Sequence, residues 1–133
     1  MIVVDTNVIA YLFIPGDRTK QARDALRKDP EWVGPLLWRS EFLNILAFYL
    51  RYGQILLRHA NQLMHEAERL MKGGEYQVPS NEVLALVKTS GCTAYDCEFV
   101  ALAKEMEIPL ITTDRKLIEA FPSMVKHLEN FAT

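Results

Sequence analysis

Four acids in this 133-residue chain occupy positions that solvation alone does not explain: Asp5, Glu41, Asp96 and Asp114. Asp5 follows the apolar run Ile2-Val3-Val4, and Asp114 follows Leu110-Ile111-Thr112-Thr113. Glu41 interrupts a helically spaced apolar series, Trp38, Phe42, Ile45, Phe48, Tyr49 and Tyr52, where a charge needs a partner or a metal. Arg39 and Arg51 are out of register to supply one. Asp96 precedes Phe99, Val100 and Ala103 by three, four and seven residues, so it extends an apolar helix face. Competing structural readings exist: Asp5 and Asp114 can cap the helices after them, and an acid at Asp96 suits a helix start. Glu66, Glu68, Glu105 and Glu107 read as solvated surface.

If the four acids converge, their charges oppose one another. Two carboxylates about 4 Å apart repel by roughly 4 kcal/mol at an effective dielectric of 20, and a divalent cation removes that cost. A donor set of oxygens alone selects magnesium or manganese. His59, His65 and His127 lack close pairing, and Cys92 and Cys97 are too few for zinc. Carboxylate-held magnesium suits phosphodiester hydrolysis. The residues therefore predict a metal-dependent nuclease.

The elements needed to carry these acids can be read from the pattern. Ile2–Val4 reads as a buried strand, followed by a helix over Thr6–Phe13 that Pro15-Gly16 closes. Asp17 is placed to cap a helix reaching Lys28. Trp32 and Val33 suggest a strand. Helices follow over about 37–52 and 55–72, then a short strand over 75–78 and a helix from Ser80 to about Thr89. Thr93-Ala94-Tyr95-Asp96 fits a capping pattern opening a helix to about Met106. Ile108–Thr112 reads as a strand, Arg115–Phe121 as a helix and Val125–Leu128 as a last strand. Alternation of this kind predicts an α/β fold with a parallel sheet between helix layers, whose sites form beyond the carboxyl ends of the strands.

The composition bounds the rest. The length suits one domain, 1–133, and half the residues are hydrophobic, enough for a sizeable core. The net charge of −2 lacks the excess of basic residues common in nucleic-acid binders, so any such role rests on local field. With no leader-like start and no apolar stretch of spanning length, the expectation is a soluble cytoplasmic protein.

These pieces together resemble the PIN-domain family, and in size and motif order its VapC-type toxin ribonucleases. The resemblance rests on Val3-Val4-Asp5-Thr6-Asn7, on Glu41 in the helix after the second strand, on Thr93-Ala94-Tyr95-Asp96 leading into Phe99-Val100-Ala101-Leu102-Ala103, and on Leu110-Ile111-Thr112-Thr113-Asp114. It spans nearly the whole chain and is faintest over 54–90. It implies a three-layer α/β/α sandwich with a central parallel sheet of about five strands. It also implies cleavage of RNA with Mg2+ or Mn2+. Asp5 and Asp96 would be direct ligands, with Asp114 and Glu41 completing an acidic quartet and Asn7 and Thr112 supporting it. A small antitoxin partner is implied too.

The helix over 37–52 is apolar on both sides, since Leu43, Leu46, Ala47 and Leu50 stand opposite the first stripe. The next helix can cover part of it, and a homodimer or an antitoxin helix the rest. Arg115 and Lys116, beside Asp114, are the better candidates for RNA contact; Arg18, Lys20 and Arg39 are further ones. Two other readings stand: a PIN-like module that binds RNA or protein without cutting, and a phosphate-handling signalling domain. The second fits less well, because Asn7 stands where a phosphatase needs a second Asp.

Overall fold

The computed structural model describes all residues, 1–133. Five short strands form one parallel sheet: β1 (Ile2–Val4), β2 (Trp32–Pro35), β3 (Glu75–Tyr76), β4 (Leu110–Thr112) and β5 (Val125–His127). Their spatial order is β3-β2-β1-β4-β5. Eight helices flank it: α1 (Thr6–Phe13), α2 (Thr19–Lys28), α3 (Leu37–Arg51), α4 (Leu57–Met71), α5 (Ser80–Ser90), α6 (Ala94–Met106), α7 (Arg115–Ala120) and α8 (Leu128–Ala132). This is the expected α/β sandwich.

The order of the strands decides where a site can form. From β1 the chain builds outward through β2 to β3, then returns to lay β4 on the other side of β1. Right-handed crossovers put the helices of the two halves on opposite faces. They part between β1 and β4, which leaves a crevice at the carboxyl ends of those strands. Val3 is in register with Leu110 and Val4 with Ile111, so Asp5 and Thr112 emerge there side by side.

The central strands are buried throughout, because helices cover both faces. α6 packs on β1, β2 and β4, with Phe99, Val100, Leu102 and Ala103 buried. Thr93 caps α6 as predicted: its hydroxyl accepts from the Asp96 amide at 3.1 Å. At the sheet's edge, Gly74 admits no side chain, since a Cβ there would stand 2.5 Å from the Trp32 carbonyl oxygen.

Three expectations need correction. Asp17 does not cap α2, whose N-cap position is Arg18; the turn is closed instead by Thr19, whose hydroxyl accepts from the Gly16 amide at 2.9 Å. Leu128, read as the end of the last strand, instead opens α8, whose other residues, 129–132, had no assignment. The apolar stripe of α3 is only half buried. Trp38 and Phe42 are fully enclosed, but Phe48 and Tyr52 are 48% and 67% exposed. A 15-residue helix is about 22 Å long, whereas the strands beneath have four residues or fewer. The end of α3 therefore overhangs the sheet.

Candidate functional site

Each of the four acids reaches the crevice from a different element. Asp5 follows β1, Glu41 lies in the second turn of α3 after β2, Asp96 opens α6 and Asp114 follows β4. The sheet register fixes Asp5 first: its amide donates to the Ile111 carbonyl at 3.0 Å. Asp5 occupies the N-cap position of α1, yet its side chain makes no capping bond. Its carboxylate accepts instead from the Thr112 hydroxyl at 2.7 Å. The capping reading of Asp5 thus fails, while that of Asp114 holds in part, since its carboxylate accepts from the Lys116 amide at 2.9 Å.

Glu41 accepts from the Thr6 hydroxyl at 2.7 Å, and no basic side chain forms an ion pair with it. The chain buries only three polar residues, Thr6, Thr19 and Thr112. Two of them each hold one of these acids. Burying a hydroxyl is unfavourable unless it finds a partner, so these threonines and the acids fix each other's places. Thr112 was expected in this role and Thr6 was not. Asn7 is exposed, and takes no part in either bond.

The electrostatics tie the acids together. Burial pushes the Asp5 carboxyl above its ordinary pKa; Thr112 partly offsets this, and the charges of Asp96 and Asp114 raise it further. Glu41 is also raised, by burial first, and then by Asp5, Asp96 and Glu98 against the opposing Thr6 bond. Asp96 is raised by burial and by Asp114, with Lys116 acting the other way. Every acid of the quartet therefore lies within the field of at least one other. Glu98, raised by its own burial, is a fifth acid that the sequence reading passed over. Its position two residues after Asp96 was the only available signal.

No three His, Cys, Asp or Glu groups stand close enough, with their side chains as they are, to hold an ion. The carboxylates share one field without forming a closed ligand set. The donors fit a hard divalent cation, because they are oxygens, they are partly buried and only Lys116 balances them.

The basic candidates separate. The charge of Lys116 acts on Asp96. Burial lowers the His127 pKa first, and the charges of Arg18 and Arg115 lower it further; Arg115 and His127 line one surface hollow. Arg39 is not free: it is paired with Glu68 and Glu75. Lys20 is paired with Asp24. The two cysteines are free and buried.

Residues 2–121 match the family model described as PIN domain. Ribonuclease VapC3 of Pyrobaculum aerophilum is 32% identical over 127 residues, which cover 93% of this chain and 97% of that protein. A crystal structure of another Pyrobaculum aerophilum protein superposes with a TM-score of 0.77 at 22% identity, covering 98% of this chain and 85% of that one. A toxin-antitoxin complex from Klebsiella pneumoniae gives 0.69 at 19% identity, covering 96% and 98%.

Proposed function

The chain belongs to the PIN-domain family, and from that premise we propose that it is a Mg2+- or Mn2+-dependent endoribonuclease, the toxin of a VapBC-type pair. The observation that carries the reading is the quartet Asp5, Glu41, Asp96 and Asp114 at one crevice, where burial and neighbouring acids, Asp114 among them, raise the carboxyls of Asp5, Glu41 and Asp96. The likeness to ribonuclease VapC3 supports the choice of substrate.

In this reading Asp5 and Asp96 hold the ion directly, while Asp114 and Glu41 hold waters or a second ion. A divalent ion bound there supplies charge neutralisation at the phosphate and activation of the attacking water. Thr112 keeps the Asp5 carboxylate aimed, and Thr6 does the same for Glu41. Asp114 is held by the start of α7. Lys116, in the field of Asp96, is placed to meet a phosphate oxygen.

A small antitoxin and a second copy of the chain are the partners this reading expects. The exposed apolar end of α3 and start of α4, with Leu43, Phe48, Tyr52, Leu56 and Leu57, offers the surface. No helix is long and apolar enough to cross a membrane, which agrees with action on RNA in the cytoplasm.

The test is cleavage of a single-stranded RNA by the purified chain with magnesium or manganese, with chelator, and by the Asp96→Asn variant. Cutting is expected only in the first. Equal cutting in all three sinks the reading, and tight RNA binding without cutting or metal uptake favours a binding module.

A further inference from the structure

A cleft of about 370 Å³ opens between α1 and α3, beside the acids but distinct from them. Its two walls continue elements that carry the quartet. Ile45 and Tyr49 stand four and eight residues after Glu41, so they lie along one row of α3. Asn7 and Tyr11 line it from α1, which begins directly after Asp5. The far end is closed by the Pro15–Thr19 turn, where Arg18 joins the lining.

The cleft is held in shape. The Tyr11 hydroxyl hydrogen-bonds that of Thr113 at 3.0 Å, which links α1 to the residue beside Asp114. The buried Thr19 hydroxyl donates to the Tyr11 carbonyl at 2.7 Å and accepts from the Gly16 amide. Neither bond belongs to the acidic quartet.

We propose that this cleft is a nucleobase subsite, which takes the base next to the scissile phosphate of a single-stranded RNA. This rests on the nuclease reading of the adjoining acids. Three features choose a nucleotide over a protein segment. The volume lies at the small end of ligand sites, which span about 300–1,000 Å³, so it suits one flat group rather than a helix. An aromatic wall at Tyr49 and an apolar floor at Ile45 offer a stacking surface that any base can use. Arg18 lines the closed end beside Asp17, and its long side chain offers a cation to the next phosphate along the strand. Asn7 adds an amide, donor and acceptor together, for a base edge.

The experiment uses the full chain, an oligoribonucleotide whose cut position has been mapped, and the same strand with one abasic residue beside that position. The ratio of kcat/KM for the intact over the abasic strand is measured in wild type, in Ile45→Trp, which fills the cleft, and in Tyr49→Ala, which removes its wall. Wild type is expected to prefer the intact strand about tenfold, within the range of one base–aromatic stack, and both variants to bring the ratio close to one. If Ile45→Trp does not fold, Tyr49→Ala alone decides. A ratio near one in wild type, or a ratio unchanged by the variants while cutting persists, overturns the subsite and leaves the nuclease reading intact. If wild type does not cut, the nuclease reading fails and, with no scissile phosphate, the subsite falls with it, whereas a ratio near one in a chain that cuts overturns the subsite alone. Variants that lose a small protein partner yet keep the RNA ratio assign the cleft to that partner and overturn it likewise.

Discussion

Asp5 stands in an uncomfortable place for a carboxylate. It is drawn into the crevice, it feels Asp96 and Asp114, and the Thr112 hydroxyl, helped by the Thr6 backbone, only partly offsets its burial. Burial lifts its folded-state pKa above the unfolded value, so the folded state binds the proton more tightly. The sign follows: Asp5 favours folding most at pH below its unfolded pKa, and that advantage fades as pH rises through the raised folded value. In chelator, thermal melts should therefore show Asp5→Asn more stable than wild type at pH 8 and little changed at pH 4. Magnesium or manganese should raise the wild-type Tm and leave that of Asp5→Asn nearly unmoved; equal shifts in both would remove Asp5 from the ion site. Thr112→Val tests the support rather than the ligand. A hydrogen bond to a charged group contributes about 1.5–3 kcal/mol, so a tenfold or greater fall in RNA cleavage is expected, with the circular dichroism spectrum unchanged. Unaltered cleavage would make Thr112 a packing residue only. Glu41 and Asp96 stood out in the sequence because they interrupt apolar helix faces, whereas Asp5 and Asp114 stand at element ends, where a helix cap reads the same. Thr6 and Glu98 did not stand out, since a threonine at a helix start looks ordinary until a carboxylate 35 residues away turns out to be its partner.

Between the acids and the fold lie the elements, and α3 shows what fixes them. Its first turns are clamped from the sheet edge: Glu75 on β3 accepts from the Trp38 indole at 3.0 Å and from the Arg39 guanidinium at 2.8 Å, and Arg39 also reaches Glu68 on α4. The Arg39 bond holds the Glu75 carboxyl below its ordinary pKa despite partial burial. A depressed acid stabilises the fold above its unfolded pKa, and that contribution is lost as pH falls through the folded value. Arg39 is more than a third exposed, so solvent screening limits the whole effect to about 1 kcal/mol. Glu75→Gln should accordingly lower Tm at pH 7 by a few degrees and narrow the gap to wild type near pH 3; a gap that stays constant with pH would place the contribution in the Trp38 bond instead. The sequence foretold β1 and β4 well, because continuous apolar runs bounded by turns admit few other readings. It foretold α3 as a helix but not its exposed end, since periodicity reports a face and not how far the sheet beneath extends. Helix α8 escaped because Leu128–Ala132 is barely more than one turn, too short for any period to register, and is held by packing on α2 and β5.

Taken whole, the molecule carries a net charge of −2, and in the proposed reading RNA must approach the carboxylates of the crevice. A bare chain of this kind should attract RNA weakly, and the ion must supply much of the local attraction. The basic side chains are spread unevenly around the crevice: the charge of Lys116 acts on Asp96, whereas those of Arg18 and Arg115 act on His127. Lys20 and Arg39 are taken up by ion pairs. Few phosphates can then be neutralised at once, so the salt dependence of binding should be shallow. For single strands the slope of log K against log salt is about −0.7 for each phosphate contact. With magnesium held constant and Asp96→Asn used to prevent cutting, two or three contacts predict a slope of about −1.4 to −2.1. Lys116→Ala should flatten it by about 0.7 if that residue meets a phosphate, and Arg115→Ala should do the same only for strands long enough to reach that side chain. A slope that neither substitution alters would place the RNA on another face of the molecule and detach both basic residues from its binding.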